Sequence, residues 1–271
     1  MEQIKHVIET ARQNVHGLGM PDQLTGTAGG APAHEAGNFS YGQTRIVRLD
    51  PKHLDRHRIV AFNKSNPLSV SFDMLRTQVL NRMEAEGWRT LAVTSPTPGC
   101  GKTIVAINLA MSIAHHTGKT AMLADFDLRK PAIAKSLGLP PGKSLNDVLD
   151  GEATLAEALV NPGLHKLVVL PTSKPVPKSA EMLSSRKVES LIQDMRNRYE
   201  ERIVIFDLPP LLVADDALTV LPRVDCALMV VGNGMVSRAE MEESLHHLHA
   251  TNLVGTVLNK AEARSKYYYH Y

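Results

Sequence analysis

Ser95-Pro96-Thr97-Pro98-Gly99-Cys100-Gly101-Lys102-Thr103 holds the densest phosphate chemistry in the chain. Small residues in such a run let successive backbone N–H groups turn inward and converge on phosphate oxygens. Pro98, Gly99, Cys100 and Gly101 would form the cradle. Lys102 would reach β- and γ-phosphates, and the Thr103 hydroxyl would ligate Mg²⁺, so Mg-ATP is the expected ligand. The first glycine of the common G-x-x-x-x-G-K-[ST] pattern is replaced by Pro96. On pattern alone, a strand–loop–helix turn that happens to contain Gly-Lys-Thr is the competing reading.

Two carboxylate-bearing segments strengthen the phosphate reading. In Met122-Leu123-Ala124-Asp125-Phe126-Asp127-Leu128-Arg129, Asp125 and Asp127 sit two residues apart at a strand end. Period-two geometry turns both to one side, where they can hold a metal or accept a proton from an incoming hydroxyl. An ordinary turn with a helix cap is the plain alternative. Ile203-Val204-Ile205-Phe206-Asp207-Leu208-Pro209-Pro210 ends an apolar strand in an acid, the position that supports Mg²⁺ beside a phosphate loop. The two prolines fix the exit from that strand.

The last five residues contain Tyr267, Tyr268, Tyr269 and Tyr271, four of the six tyrosines in a chain that is only 4% aromatic. Aromatic residues at a terminus bury little. Either they dock on a partner or they are phosphate acceptors, each gaining about −1.5 to −2 charge when modified.

These groups need a scaffold that brings loop and strand ends together. Apolar runs at Thr90–Thr94, Thr120–Asp125, Leu167–Leu170, Arg202–Phe206, Cys226–Val231 and Leu253–Leu258 read as strands. Helical patterns at 69–86, 103–116, 144–160, 181–198, 216–221 and 237–250 separate them. Wholly apolar strands between amphipathic helices predict an α/β fold, a mostly parallel sheet with helices on both faces. Ligands bind such sheets at the carboxyl ends of their strands, where the loop and acids fall. Residues 1–60 read as a flexible arm and linker, with a short amphipathic helix in the first 17. Residues 61–262 read as the catalytic domain and 263–271 as a flexible tail.

With 271 residues and 43% hydrophobic content the chain can bury a sizeable core. A net charge of +2 gives no global field for nucleic acid, and none is expected as a partner. Cys100 and Cys226 lie too far apart for metal spacing and suit a reducing cytosol. No apolar run is long enough to span a bilayer.

Taken in order, SPTPGCGKT, DFDLR, DLPP and YYYHY resemble the bacterial tyrosine kinases of capsule and exopolysaccharide export. KSAEMLSS at 178–185 and VGTVLN at 254–259 extend the resemblance over about residues 60–271. That family does not carry the first loop glycine, which accounts for Pro96. The resemblance implies a P-loop NTPase fold related to the partitioning and division-site ATPases, with ATP and Mg²⁺ as cofactors. It implies autophosphorylation of the tail between subunits of a homo-oligomer. By position, Lys102 and Thr103 bind phosphate and metal, and Asp125 is the base for the tyrosine hydroxyl. Asp127 and Asp207 organise Mg²⁺, Arg129 stabilises either the segment around Asp125 and Asp127 or phosphate charge, and Asn259 contacts adenine.

The family's Glu-x-x-Arg-x-x-Arg assembly motif falls here on Val70, Asp73 and Arg76, so only its last residue survives. The resemblance further implies a cytoplasmic protein, recruited peripherally to the inner face of the membrane by a separate membrane-embedded polysaccharide chain-length modulator. The alternatives are an ATP-driven dimerising partitioning ATPase and a non-catalytic nucleotide-bound adaptor. Many ATPases of the first kind carry an extra loop lysine where this chain has Thr97.

Overall fold

Among the described residues, six of the eight strands are the apolar runs named above; the other two are short pairs at one edge. The computed structural model describes residues 44–116 and 118–261. The expected first helix, most of the arm and the tail tyrosines lie outside the described residues. The strands are β1 (Arg45–Ile46), β2 (Thr90–Thr94), β3 (Thr120–Asp125), β4 (Val160–Asn161), β5 (Leu167–Leu170), β6 (Arg202–Asp207), β7 (Cys226–Gly232) and β8 (Asn252–Asn259). They form one sheet in the order β1-β4-β5-β3-β6-β2-β7-β8. Every pairing is parallel except β4 with β5.

β6 lies between β3 and β2, in a register that pairs Asp125 with Asp207 and Asp207 with Val93. Consecutive residues along these strands serve opposite faces. Leu91, Val93, Leu123 and Ile205 join one core with the Lys102–Ala114 helix. Ala92, Met122, Val204 and Phe206 are equally buried but lie outside that cluster, turned toward the Arg186–Asn197 helix, which packs on β6. Helices thus cover both faces, as the apolar strands require. The Lys102–Ala114 helix is buried at every residue from Val105 to Ala114, which explains why it shows no polar stripe.

Two helical segments divide further than their periodicity indicates. The 144–160 pattern breaks at Gly151, whose φ of 83° ends the Leu145–Asp150 helix. A capping box, Thr154 with Glu157, then starts Leu155–Ala158, and the chain enters β4. The 181–198 pattern breaks at Ser185, which caps the Arg186–Asn197 helix through its bond from the Val188 amide.

Residues 44–60, assigned above to a flexible arm, are folded onto the domain. Leu54 and Ile59 are 1% exposed and sit in the core, and β1 pairs with β4. Asn108, buried in the Lys102–Ala114 helix, is the anchor. Its Oδ1 accepts from the amides of Val60 (2.8 Å) and Ala61 (2.9 Å). Its Nδ2 donates to the carbonyls of Arg58 (3.1 Å) and Ile104 (2.8 Å). Asn108→Leu leaves buried peptide groups unpaired and is expected to cost about 3 kcal/mol, read as a lower urea midpoint at unchanged m.

In the Ser69–Ala85 helix, Val70 is exposed, whereas Asp73 and Arg76 face their own chain. Asp73 bonds Lys64 and Ser112, and Arg76 bonds Asp73 (3.0 Å) and the Ser112 carbonyl (3.3 Å). The one surviving position of the assembly motif is therefore spent within the subunit.

Candidate active site

The phosphate loop leaves β2 between two anchors on the neighbouring strand exit. The amides of Leu211 and Leu212 donate to the carbonyls of Ser95 (2.8 Å) and Pro96 (3.1 Å), and the Thr94 hydroxyl donates to the Pro209 carbonyl (2.8 Å). The Asp207-Leu208-Pro209-Pro210 exit thus supports the loop from below. At its far end Gly101 adopts φ 93°, and a Cβ there would come within 2.3 Å of the Asn259 side chain. Only glycine satisfies both conditions. Asn259 donates from Nδ2 to the Cys100 carbonyl (2.9 Å), so β8 braces the loop.

Loop and strand ends meet at a pocket of about 280 Å³. Pro98, Gly99, Gly101, Lys102 and Thr103 line it from the loop, and Asp127, Arg129 and Val213 from the opposite side. Cys100 does not line it: its thiol is fully buried in the core, which leaves only its backbone for phosphate. Lys102 Nζ donates to Asp127 Oδ2 (2.8 Å) and lies 3.6 Å from Asp207 Oδ1. Thr103 Oγ1 donates to Asp207 Oδ2 (2.6 Å). Asp127 Oδ1 accepts from the Lys130 amide (3.0 Å), which holds the carboxylate at the pocket wall.

Asp125 stands behind that wall, fully buried. Its Oδ2 accepts from the amides of Ala132 (3.0 Å) and Ile133 (2.9 Å), while its Oδ1 has no hydrogen-bond partner. Burial first, then the charge of Asp207, raises its proton affinity well above the usual carboxylate range. Burial likewise raises that of Asp207, against the opposing pull of Lys102. For Lys102, burial works against the ammonium, but the Asp207 and Asp127 carboxylates outweigh it and hold its proton more tightly than usual. Among the described residues, three acids share one partly buried cation.

This donor set fits Mg²⁺. A hydroxyl and carboxylates are hard oxygen ligands, and buried Asp207 Oδ1 lacks a hydrogen-bond partner. Among the described residues no three His, Cys, Asp or Glu side chains converge as a ready-made cage. Mg²⁺ needs none, because it keeps waters and shares its ligation with substrate phosphates.

The structure thus brings together Lys102, Thr103, Asp125, Asp127 and Asp207. It sets Arg129 at the rim, paired to Asp216. The sequence reading does not single out Asp216; its only mark there is a pair of adjacent acids opening the Asp216–Val220 helix.

Comparison with known proteins agrees with this fold. Residues 91–270 match the CobQ/CobB/MinD/ParA nucleotide binding domain. Tyrosine-protein kinase YwqD of Bacillus subtilis (strain 168) is 29% identical over 79% of this chain and 92% of its own length. Succinoglycan biosynthesis transport protein ExoP of Rhizobium meliloti (strain 1021) is 32% identical over 64% of this chain, which spans only 22% of ExoP. The crystal structure of the VpsO kinase domain superposes with a TM-score of 0.64 at 27% identity, covering 72% of this chain and 96% of VpsO. The septum site-determining protein MinD with Mg-ADP from Pyrococcus horikoshii OT3 shares the fold, with a TM-score of 0.53 at 20% identity over 64% of this chain and 72% of its own. The chain belongs to the CobQ/CobB/MinD/ParA nucleotide-binding domain family, and its curated relatives there include bacterial tyrosine kinases.

Proposed function

We propose that this protein is an ATP-dependent tyrosine autokinase that phosphorylates its own C-terminal cluster. The meeting of Lys102 and Thr103 with strand-end carboxylates, in a chain related to tyrosine kinases, carries this reading. Lys102 and Thr103 hold the nucleotide's phosphates; Thr103, Asp127 and Asp207 would hold Mg²⁺, which would supply charge neutralisation at the phosphates. Asp125, buried behind the pocket wall with its Oδ1 free of hydrogen bonds, is the acceptor we assign to the proton of the tyrosine hydroxyl. Arg129 steadies phosphate charge at the rim. Tyr267, Tyr268, Tyr269 and Tyr271 are the acceptors, presented by a neighbouring subunit.

The process served is polysaccharide polymerisation or export, in keeping with the name of ExoP. Among the described residues no helix is long and apolar enough to cross a membrane. We place the protein at the inner membrane face, recruited by a separate membrane-embedded chain-length modulator.

Incubation with Mg-[γ-³²P]ATP is expected to label the tail, with mass spectrometry locating phosphate on the peptide after Lys266. Absence of phosphotyrosine, even with the cytosolic segment of the membrane partner added, overturns the reading.

A further inference from the structure

Arg129 raises a question of charge. It follows Asp127 by two residues at the rim of a pocket lined by Asp127 and Lys102, with Asp125 and Asp207 buried behind it. An unrestrained guanidinium there would be drawn onto those acids and compete with Lys102. Instead its Nε donates to Asp216 Oδ2 (2.7 Å), and its Nη2 lies 3.9 Å from exposed Asp215. Asp216 is fully buried, and its other oxygen accepts from the hydroxyl of Ser179, itself 1% exposed.

Ser179 belongs to the KSAEMLSS segment, which has no part in the chemistry above. Lys178, at φ 58°, turns the chain so that Ser179 opens the Ser179–Leu183 helix against Asp216. At the other end of that helix, Arg223 donates to the carbonyls of Leu183 and Ser184. The segment is thus pinned at both ends on residues 216–223.

We infer that Ser179 and Asp216 are positioning residues that hold Arg129 at the pocket rim, aimed at the terminal phosphate of the nucleotide and away from the acids beneath it. One guanidinium edge is spent on Asp216, and the rest of the group serves the pocket it lines. The KSAEMLSS segment is the buttress of that arginine. The inference rests on nucleotide occupying this pocket.

The test is a double-mutant cycle read by binding. With Mg²⁺ present, affinities for ADP and for a non-hydrolysable ATP analogue are measured in wild type, Asp216→Asn, Arg129→Ala and the double variant. Asp216→Asn is expected to cut the preference for the ATP analogue roughly tenfold with ADP affinity unchanged, and to add nothing to Arg129→Ala. Ser179→Ala is expected to lose about threefold, again only when Arg129 is present.

Preserved preference in Asp216→Asn, or losses that add to that of Arg129→Ala, overturns the inference and leaves Asp216 a packing residue. If Asp216→Asn does not fold, the Ser179 and Arg129 cycle decides by the same criterion. Because the readout is equilibrium binding, a wild type that never labels its tail but gives a non-additive cycle sinks the kinase reading alone.

Discussion

Lys102→Met is expected to abolish tail phosphorylation and also to melt earlier than wild type. The loss of transfer should be at least about 100-fold under the proposed role, in which the ammonium reaches charge that develops on the transferred group. The loss of stability has a separate origin. Lys102 is the one cation among Asp127 at 2.8 Å, Asp207 at 3.6 Å and, behind them, Asp125. Methionine keeps the volume but leaves these buried acids uncompensated, at a cost of about 2 kcal/mol. The folded state raises the affinity of Lys102 for its proton, so its contribution is complete below the ordinary lysine range and fades only as pH rises through the raised value. The deficit should therefore be undiminished at neutral pH. Thermal melting of both proteins without nucleotide at pH 7 measures it, and equal melting temperatures would show that the acids do not depend on Lys102.

Asp125→Asn is expected to lose transfer too, yet to melt later. The substitution removes a buried carboxyl whose ionisation burial and Asp207 oppose, while the amide oxygen still accepts from Ala132 and Ile133. Relief of about 1 kcal/mol raises the melting temperature by a few degrees in a domain of this size. The pH dependence gives the sign. The folded protein holds the Asp125 proton after the unfolded chain has released it, so the native state binds more protons from about pH 4 upward until the raised value is passed. Wild-type stability should fall with rising pH across that window, and Asp125→Asn should lose part of the slope.

For transfer, a drop of about 100-fold or more is expected if Asp125 is the base. Asp127→Asn is the informative companion, because Asp127 faces the pocket and bonds Lys102 directly. A larger loss of transfer in Asp127→Asn, with Asp125→Asn nearly active, would reassign the base to Asp127.

The chemistry was more legible in the sequence than the architecture that holds it. Gly-Lys-Thr, the Asp125/Asp127 pair and Asp207 could be read because each stands where an apolar strand stops, and such stops are visible locally. Their convergence depends on strand order, with β6 lodged between β3 and β2, which no local pattern encodes. The fold class followed from strands without polar alternation. The breaks at Gly151 and Ser185 carried local marks, a glycine and capping residues, that a periodicity reading passes over. Asp216 was illegible for another reason: an acid opening a short helix looks like a cap until its partner, 87 residues earlier, is seen beside it. Leu54 and Ile59 were hidden among basic and irregular neighbours, so their burial could not be read from composition.

The Asn108 bridge also settles where this enzyme can be cut. A fragment beginning at residue 61 would keep every group named in the chemistry and still be damaged. It would strip Leu54 and Ile59 from the hydrophobic face they cover and take away the Val60 amide and the Arg58 carbonyl that hold Asn108. The wound would open on the very helix that Lys102 and Thr103 begin. Poor yield or weak nucleotide binding from such a fragment would report on the trimming and say nothing about catalysis.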